Sequence, residues 1–319
     1  MRALVTGADG FVGQWLIRAL LEAGDDVAGA TRGDQTGLTT LDVDSATHVR
    51  WLSIELLEPE TLAAAVQEAR PDAVYHLAAQ ASVAQSLKDP VGTIETNVIG
   101  TANLLEACRA HAPGATALVV GSAEIYGAVA PSALPLREDA PIRPNNPYAG
   151  SKAAAEALAL QYAQAGWLRV LATRSFNHTG PGQSTAFAAA AFAKQLADIA
   201  AGKQAPVLRH GNLSAQRDFL DVRDVVIAYR LLAASGTAAT AYNVCSGHAV
   251  SMREIVEELG RLVDRPVELR EDPQRMRPVD TPIVVGDPGL LHRDTAWQPA
   301  IPLLRTLTDL YEYYLKEDG

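Results

Sequence analysis

The chain has 319 residues, of which 48% are hydrophobic, and it carries a formal net charge of −10 with a sequence pI near 5.2. This length and composition are ordinary for a folded globular protein with one large core or two smaller ones. The acidic balance disfavours nucleic acid and an anionic membrane as main partners, whereas a small anionic ligand remains possible where arginines cluster.

The first predicted unit is a strand, a glycine turn and a helix. The apolar run 2–6 leads into the spacing Gly7-x-x-Gly10-x-x-Gly13, and an amphipathic segment follows. Glycines in such a turn let the backbone approach a pyrophosphate, whose charge then lies against the helix N-terminus. The order of these elements favours dinucleotide binding over a plain turn.

The next two strands bear on the choice of dinucleotide. The strand 26–30 ends at Thr31 and Arg32, where a site specific for NAD usually has an acidic residue for the ribose hydroxyls. Arg32 would suit the 2′-phosphate of NADP. We therefore expect NADP(H) to be favoured, with NAD(H) possible. A third strand, 49–54, leads into Glu55.

Strands and helices continue to alternate along the chain. Small residues, Ala78 and Ala79, follow the fourth strand and would let a cofactor lie close. Repeated strand–helix units imply a parallel sheet with right-handed crossovers, so we predict an α/β fold with a Rossmann-type doubly wound sheet. Helices are predicted over 59–70 and 91–110, and strands over 73–77, 117–120 and 169–174.

Two polar residues are predicted to lie at the ligand crevice, and two more share one face of a helix. Ser122 and Glu124 follow the strand 117–120, and the carboxyl ends of parallel strands face the crevice. Pro147 begins an alanine-rich helix in which Tyr148 and Lys152 lie one turn apart on one face. A nearby cation favours the phenolate, so this pair predicts a tyrosine with a lowered pKa that exchanges protons.

The composition changes after Ser175, where a turn-rich loop replaces the next crossover. We predict a nucleotide-binding domain from residues 1–175 plus about 216–248. A smaller C-terminal α/β domain, residues of about 176–215 plus 249–319, would bind the substrate. Ser251 with Glu254 predicts a capping box at a helix start. We interpret His178 as a residue that orders the loop.

The chain contains two cysteines, Cys108 and Cys245, which have no His or Cys partners at ligand spacing. We therefore expect neither a disulfide framework nor a metal site. No apolar run approaches a membrane span, and the first one is followed at once by the glycine turn. These features predict a protein without a signal peptide or an anchor, located in the cytoplasm.

The glycine turn, Ser122, Tyr148 and Lys152, in this order, resemble the extended short-chain dehydrogenase/reductase superfamily over nearly the whole chain. Within it, residues 174–183, which contain Asn177-His178-Thr179-Gly180, are similar to the nucleotide-sugar loop of the GDP-mannose 4,6-dehydratase and GDP-4-keto-6-deoxymannose reductase group. The stretches 211–219 and 242–247 look closer to the reductase.

The resemblance implies that Tyr148 is the acid/base, that Lys152 holds the nicotinamide ribose and lowers the tyrosine pKa, and that Ser122 hydrogen-bonds the sugar C4 oxygen. It implies that the cofactor contacts are Gly7, Gly10, Phe11, Val12, Gly13, Arg32, Glu55, Leu56, Leu77, Ala78, Ala79, Asn97, Tyr148 and Lys152. It implies that the substrate contacts are Gln80, Ser82, Ser122, Asn177, Arg217, Arg277 and Asp280. Of these, Arg217 and Arg277 would hold the diphosphate.

The implied activity is that of an oxidoreductase that reduces the C4 ketone of a GDP-linked 4-keto-6-deoxyhexose, giving GDP-D-rhamnose or its C4 epimer. Glu124 keeps a GDP-mannose 4,6-dehydratase open, since its carboxylate could take the C5 proton or could instead be a structural hydrogen-bonder. A C4 epimerase and a non-catalytic dinucleotide sensor are further alternatives.

Three departures from the pattern bear on this choice: Ala123 replaces a second hydroxyl, Glu55 replaces an Asp, and the segment after Arg32 is shorter than the dehydratase loop. The third departure favours the reductase. The resemblance also implies a homodimer built from the helices around Asn97 and after Tyr148.

Overall fold

The computed structural model describes residues 1–33, 37–275 and 281–317. Within these ranges the strands are β1 (Arg2–Thr6), β2 (Asp26–Thr31), β3 (Val49–Ser53), β4 (Ala73–His76), β5 (Thr116–Ser122), β6 (Arg169–Ser175), β7 (Asn177–Thr179), β8 (Val207–His210), β9 (Gln216–Asp221), β10 (Ala241–Val244), β11 (Ala249–Ser251), β12 (Glu268–Glu271) and β13 (Ile283–Val284). The α-helices are α1 (Phe11–Glu22), α2 (Val43–Thr47), α3 (Pro59–Ala69), α4 (Val83–Lys88), α5 (Pro90–Ile94), α6 (Gly100–His111), α7 (Pro147–Gln164), α8 (Ala188–Ala200), α9 (Val222–Ser235), α10 (Met252–Gly260), α11 (Gly289–Thr295) and α12 (Leu303–Glu317).

Seven parallel strands form the large sheet, in the order β10-β6-β5-β4-β1-β2-β3. The chain builds outward from β1 to β3 and then returns to the other side of β1 with β4. The strand order therefore reverses between β1 and β4, and a doubly wound sheet binds its ligands at the carboxyl ends of the strands beside such a reversal. The predicted α/β doubly wound sheet is confirmed.

Two apolar cores cover the two faces of this sheet. Successive residues of a strand point to opposite faces, so Val5 packs with α1, α9 and α11, whereas Leu4 packs with α3, α6 and α7. Both residues are almost fully buried. Each buried side chain of this size contributes about 1.5–3 kcal/mol, which explains why the strand sequences are apolar without alternation.

The smaller part of the molecule is built on β9, which pairs with β7, β11 and β13, while β8 pairs with β12. Helices α8, α10 and α12 supply its core. Residues 216–221 therefore do not belong to the large sheet, and the chain returns to the core of that sheet at α9. Conversely, Leu291 of α11 packs against the large sheet, although its segment was assigned to the substrate domain.

Several helix starts have side-chain caps, of which the capping box at Ser251 was predicted. The side chain of Asn146 accepts a hydrogen bond from the backbone N–H of Ala149 (2.9 Å), with Pro147 at the first helical position of α7. The capping box of Ser251 and Glu254 is confirmed at α10. The single helix predicted over 91–110 is instead α5 and α6 joined by a π-helical turn, Glu95–Ile99.

Both cysteines are buried thiols without a disulfide bond. No helix in the described part of the chain is long and apolar enough to cross a membrane. The cytoplasmic location stays a prediction.

Candidate active site

The glycine turn after β1 has the geometry of a cradle for a pyrophosphate. Gly7 has a φ of +69°, and a Cβ there would lie 2.9 Å from the backbone nitrogen of Ala78. A Cβ at Gly13 would lie 2.2 Å from the carbonyl oxygen of Gly7. Gly10 precedes α1 without a side-chain cap, and the first turn of the helix has no acidic residue. The turn therefore offers close backbone approach and uncapped N–H donors, which fit the pyrophosphate of a dinucleotide.

The ends of the neighbouring strands form the walls of this crevice. Leu77, Ala78 and Ala79 follow β4, and the N–H of Ala78 donates to the Thr6 hydroxyl (3.2 Å). Arg32 is exposed at the end of β2. These residues share the carboxyl edge with Phe11 and Val12, which begin α1 and are half-buried.

Two predicted cofactor contacts after β3 have structural roles. The N–H of Glu55 donates to the Thr61 hydroxyl (3.0 Å), which donates in turn to the Glu55 carbonyl (3.1 Å). The side chain of Leu56 is buried against Gly100. The segment after β3 is thus fixed by its own contacts with α3 and α6.

The predicted ligand contacts Asn97, Gln80 and Ser82 are joined to one another. The buried Asn97 amide accepts from the N–H of Gln80 (2.8 Å) and donates to the Gln80 carbonyl (3.0 Å) and the Ser151 hydroxyl (2.9 Å). The Gln80 side chain donates to Thr93 (2.9 Å) and accepts from the N–H of Ser82. The side chains of Asn97 and Gln80, together with the backbone N–H of Ser82, order the loop after β4 against α7, which the sequence did not predict.

Tyr148 and Ser122 form the pair at the centre of the crevice. Burial raises the pKa of Tyr148 to about 12, the hydrogen bond with Ser122 lowers it, and the charge of Glu124 raises it. The phenol is therefore protonated at neutral pH. The predicted lowering of this pKa by Lys152 is wrong for the protein without its ligands, because burial of the phenol dominates.

Lys152 points to the end of the neighbouring strand. Its Nζ donates to the carbonyl oxygen of Val120 (2.9 Å), and burial lowers the pKa of its ammonium group to about 8. Helical spacing places Lys152 on the face of Tyr148, as predicted. The charge of Lys152 also acts on the buried His76. Burial lowers the pKa of this histidine, and the lysine charge lowers it further.

Glu124 lies in a short 3₁₀ turn, Ala123–Tyr126, that follows β5. Its backbone N–H donates to the Ser122 hydroxyl (3.2 Å), and its charge acts on the Tyr148 phenol. Among the residues that the structure describes, no hydrogen bond or ion pair involves its half-buried carboxylate. Glu124 was also interpreted as a structural hydrogen-bonder, and only the hydrogen bond of its backbone N–H supports that alternative.

A buried ion pair beneath the crevice was not predicted. Arg174 of β6 and Glu156 of α7 are 7% and 4% exposed, and their closest charged atoms are 2.7 Å apart. Arg174 also donates to the Tyr126 hydroxyl (2.9 Å) and the Glu138 carbonyl (2.7 Å). The pair ties the helix of Tyr148 to the turn that contains Glu124. The sequence signal that could have revealed this pair is Glu156, a lone acidic residue on the alanine-rich helix.

The predicted substrate residues lie in two places. Asn177 is exposed at the first position of β7, next to His178, whose ring stacks on Phe11 with centroids 6.3 Å apart. Arg217 of β9 is half-buried and donates to the carbonyl oxygens of Gln216 (2.8 Å) and Thr281 (2.7 Å). Arg277 and Asp280 lie outside the described residues.

Comparison with known proteins gives this arrangement a family. The model of the family described as GDP-mannose 4,6 dehydratase matches residues 4–310. The chain belongs to the GDP-mannose 4,6-dehydratase family. The family resemblance stated from the sequence is thereby confirmed, and the dinucleotide cradle, Tyr148 and Lys152 lie within the matched range.

Members and relatives of this family differ in activity. The chain is 39% identical to GDP-6-deoxy-D-mannose reductase of Pseudomonas aeruginosa over 327 aligned residues, which cover 99% of each protein. The structure of RMD from Pseudomonas aeruginosa complexed with NADPH has a TM-score of 0.85 and 36% identity, covering 99% of this chain and 100% of that one. The UDP-glucose 4-epimerase of Thermus thermophilus in complex with NAD has a TM-score of 0.85 and 31% identity, covering 98% and 99%.

Proposed function

We propose that this protein is a GDP-4-keto-6-deoxy-D-mannose reductase, which reduces the C4 ketone of its GDP-linked substrate with NAD(P)H. The observation that carries the proposal is a Tyr148 phenol that keeps its proton at neutral pH and lies beside Ser122, the last residue of β5. A ketone that accepts a hydride needs a proton donor at its oxygen. The full-length similarity to GDP-6-deoxy-D-mannose reductase supports the same assignment.

In this mechanism the bound nicotinamide supplies the hydride. Tyr148 donates a proton to the developing alkoxide, and Ser122 orients the C4 oxygen by a hydrogen bond. Lys152 is charged below pH of about 8, so its ammonium group stabilises negative charge at the oxygen and holds the ribose. General acid catalysis by a residue in the position of Tyr148 contributes about 10²–10⁴-fold to the rate.

A nicotinamide dinucleotide is the cofactor, and we propose that NADP(H) is preferred. Arg32 directly follows β2, its side chain is exposed, and positions 31–33 are Thr, Arg and Gly, without an acidic side chain to bind the ribose hydroxyls of NAD. A guanidinium group binds phosphate in a bidentate manner. The preference would appear as a lower Kd for NADPH than for NADH, and Arg32→Ala should remove most of the difference.

The proposed substrate is a GDP-linked 4-keto-6-deoxy sugar. The ring of His178 stacks on Phe11, which follows the glycine turn. This contact places the neighbouring Asn177 on the glycine-turn side of the crevice. Arg217 lies on β9, and we propose that it contacts the diphosphate together with Arg277. An acidic protein needs such local cations in order to bind an anionic substrate.

The deciding experiment compares two substrates. The protein is incubated with NADPH or NADH and GDP-4-keto-6-deoxymannose, and separately with GDP-mannose and NADP⁺, and the products are identified. A reductase consumes one NADPH for each keto sugar and leaves GDP-mannose unchanged. Conversion of GDP-mannose without net change in the cofactor would contradict the reductase and establish the dehydratase.

GDP-mannose 4,6-dehydratase is the second candidate because the carboxylate of Glu124 acts on the Tyr148 phenol and has no hydrogen bond among the described residues. Such a group could remove the C5 proton. Glu124→Gln separates the two functions. The variant of a dehydratase should lose about 10²–10⁴-fold in turnover of GDP-mannose, whereas the variant of a reductase should retain its consumption of NADPH.

We infer that the protein forms a homodimer through α6 and α7, the helices that the resemblance implies, together with the adjoining α4, α5 and π-helical turn Glu95–Ile99. Four large apolar side chains in this region are 48–64% exposed, namely Leu87, Val91, Ile94 and Ile99. Exposed apolar groups that lie together usually mark an interaction surface. Light scattering at micromolar concentration should give the mass of two chains, and Ile94→Lys should give one. A monomeric wild-type protein would contradict the dimer.

A further inference from the structure

One face of α1 contacts two segments that flank the proposed ligands. Phe11, Gln14 and Trp15 stand at positions i, i+3 and i+4 of the helix, which places them on a common face. The first segment is residues 39–41, which follow β2. The second is residues 178–182, which follow Asn177. Gln14 and Trp15 have no role in the chemistry proposed above.

Gln14 joins the glycine turn to the segment 39–41. Its side chain is 2% exposed, and its Oε1 accepts hydrogen bonds from the backbone N–H groups of Thr39 (2.8 Å), Thr40 (2.9 Å) and Leu41 (3.2 Å). Its Nε2 donates to the carbonyl oxygen of Asp9 within the turn (2.8 Å). One buried amide therefore joins the glycine turn to the segment 39–41.

Trp15 joins the same helix to the segment 178–182. Its Nε1 donates to the carbonyl oxygen of Pro181 (3.0 Å), and one turn earlier Phe11 stacks on His178 with ring planes at 8°. The two segments also contact each other directly. Gly182 has a φ of +85°, and a Cβ there would lie 2.4 Å from Cγ2 of Thr40. Helix α1 and the two segments thus form a closed set of contacts.

We propose that Gln14 and Trp15 are positioning residues that make the binding of the dinucleotide and of the GDP-sugar mutually favourable. The inference rests on the proposed function, which places the pyrophosphate at the N-terminus of α1 and the GDP-sugar beside Asn177. Because the contacts of Gln14 and Trp15 join the two segments, the first ligand to bind restrains both of them, and the second ligand then loses less conformational entropy on binding. Because the coupling is reciprocal, either ligand strengthens the binding of the other by the same factor.

The test measures the affinity for GDP-mannose by calorimetry, with and without saturating NADPH. GDP-mannose has the nucleotide and a hexose but no C4 ketone, so it binds without accepting a hydride. NADPH should raise the wild-type affinity at least about five-fold, the low end of typical couplings. Gln14→Leu and Trp15→Phe should bring this ratio close to one.

Two variants serve as matched controls in other parts of the protein. Trp297→Phe also removes an indole N–H that donates to a backbone carbonyl, that of Asp224, at 3.0 Å. Gln195→Leu removes an amide that accepts from the N–H of Arg209 (2.9 Å) and donates to its carbonyl (3.1 Å). Both controls should keep the wild-type ratio. Because Gln14→Leu leaves N–H donors without an acceptor, Trp15→Phe provides the milder and independent test.

Hydrogen exchange supplies a second readout that does not depend on activity. NADPH alone should protect the amides of residues 178–183 in the wild-type protein and fail to protect them in Trp15→Phe. A wild-type protein that reduces the keto sugar but has a ratio of one, or variants with an unchanged ratio, would overturn this inference alone. A wild-type protein that binds neither NADPH nor GDP-mannose would overturn the proposed function, and the inference with it.

Discussion

The Nζ of Lys152 lies 2.9 Å from the carbonyl oxygen of Val120, two residues before Ser122 at the carboxyl end of β5. This contact holds the ammonium group beside the crevice, and burial there lowers its pKa to about 8 while the pKa of Tyr148 is raised to about 12. The lysine, not the tyrosine, is therefore the group of this pair that titrates near the physiological range.

Lys152 should set the alkaline limb of the pH profile. Reduction needs a charged Lys152 and a protonated Tyr148; Lys152 loses its charge as the pH rises through about 8, whereas Tyr148 keeps its proton until about 12. We expect kcat/KM for the keto sugar to be level below pH of about 7 and to fall about ten-fold per unit above the lysine pKa, since kcat/KM reports the free enzyme.

Lys152→Arg tests the origin of that limb. A guanidinium group stays charged throughout the accessible pH range, so the variant should lose the limb even where its absolute rate is reduced. A limb that stays near the lysine pKa in this variant would assign the titration to another group.

Tyr148→Phe should abolish turnover and leave cofactor binding nearly intact. The change removes the proton donor and keeps the ring, so we expect kcat to fall about 10²–10⁴-fold and the Kd for NADPH to change less than about three-fold, since the phenol contributes little to binding. Tyr162→Phe is the control on the same helix, because its hydroxyl donates to Glu106 (2.6 Å), away from the crevice. Equal activity of the two variants would remove Tyr148 from its role.

Gly13→Ala should weaken cofactor binding. The added methyl group would lie 2.2 Å from the carbonyl oxygen of Gly7, so the glycine turn must shift away from its present position. Overpacking of this kind costs about 1–3 kcal/mol, which corresponds to a rise of about 5- to 150-fold in the Kd for NADPH. Gly260→Ala is the control, since a Cβ there meets nothing within 4 Å. Unchanged NADPH affinity in Gly13→Ala would contradict the cradle.

Glu156→Gln should lower stability substantially, because it leaves the buried Arg174 charge without its counter-charge. Loss of one partner of a buried pair costs about 3–5 kcal/mol in the free energy of unfolding. The control Glu22→Gln removes the partner of Arg18 on the exposed side of α1, where an ion pair contributes at most about 1 kcal/mol. Denaturant unfolding of both variants measures the difference, and equal values would contradict the role of the buried pair.

Elements with strong local signals were predicted correctly from the sequence. The strand β1, the glycine turn and the helix α7 each have a local cause: an apolar run, glycines at fixed spacing, and a cap followed by proline and alanines. The short strands β11, β12 and β13 were missed. All four residues of β12 are exposed, so its sequence has no buried face to reveal it.

Some predicted ligand contacts have partners that only the folded chain reveals. Asn97 and Gln80 were assigned to ligands because of their positions in a resemblance, yet the Asn97 amide bonds the backbone of Gln80 and the Ser151 hydroxyl, and the Gln80 amide bonds Thr93 and the N–H of Ser82. Hydrogen bonds between residues 17 and 54 positions apart depend on how helices pack. The sequence alone does not specify that packing.

By itself the sequence predicted the fold class and the dinucleotide turn, because these rest on local periodicity and on the topology of parallel strands, whereas the joint site of Ser122, Tyr148 and Lys152 was predicted from a family resemblance. Tertiary structure alone decided the protonation states. The pKa of Tyr148 depends on how deeply the phenol is buried and on Ser122 and Glu124 beside it, whereas helical spacing reports only that Lys152 lies one turn away. Burial and distance, which set these energies, exist only in the folded molecule.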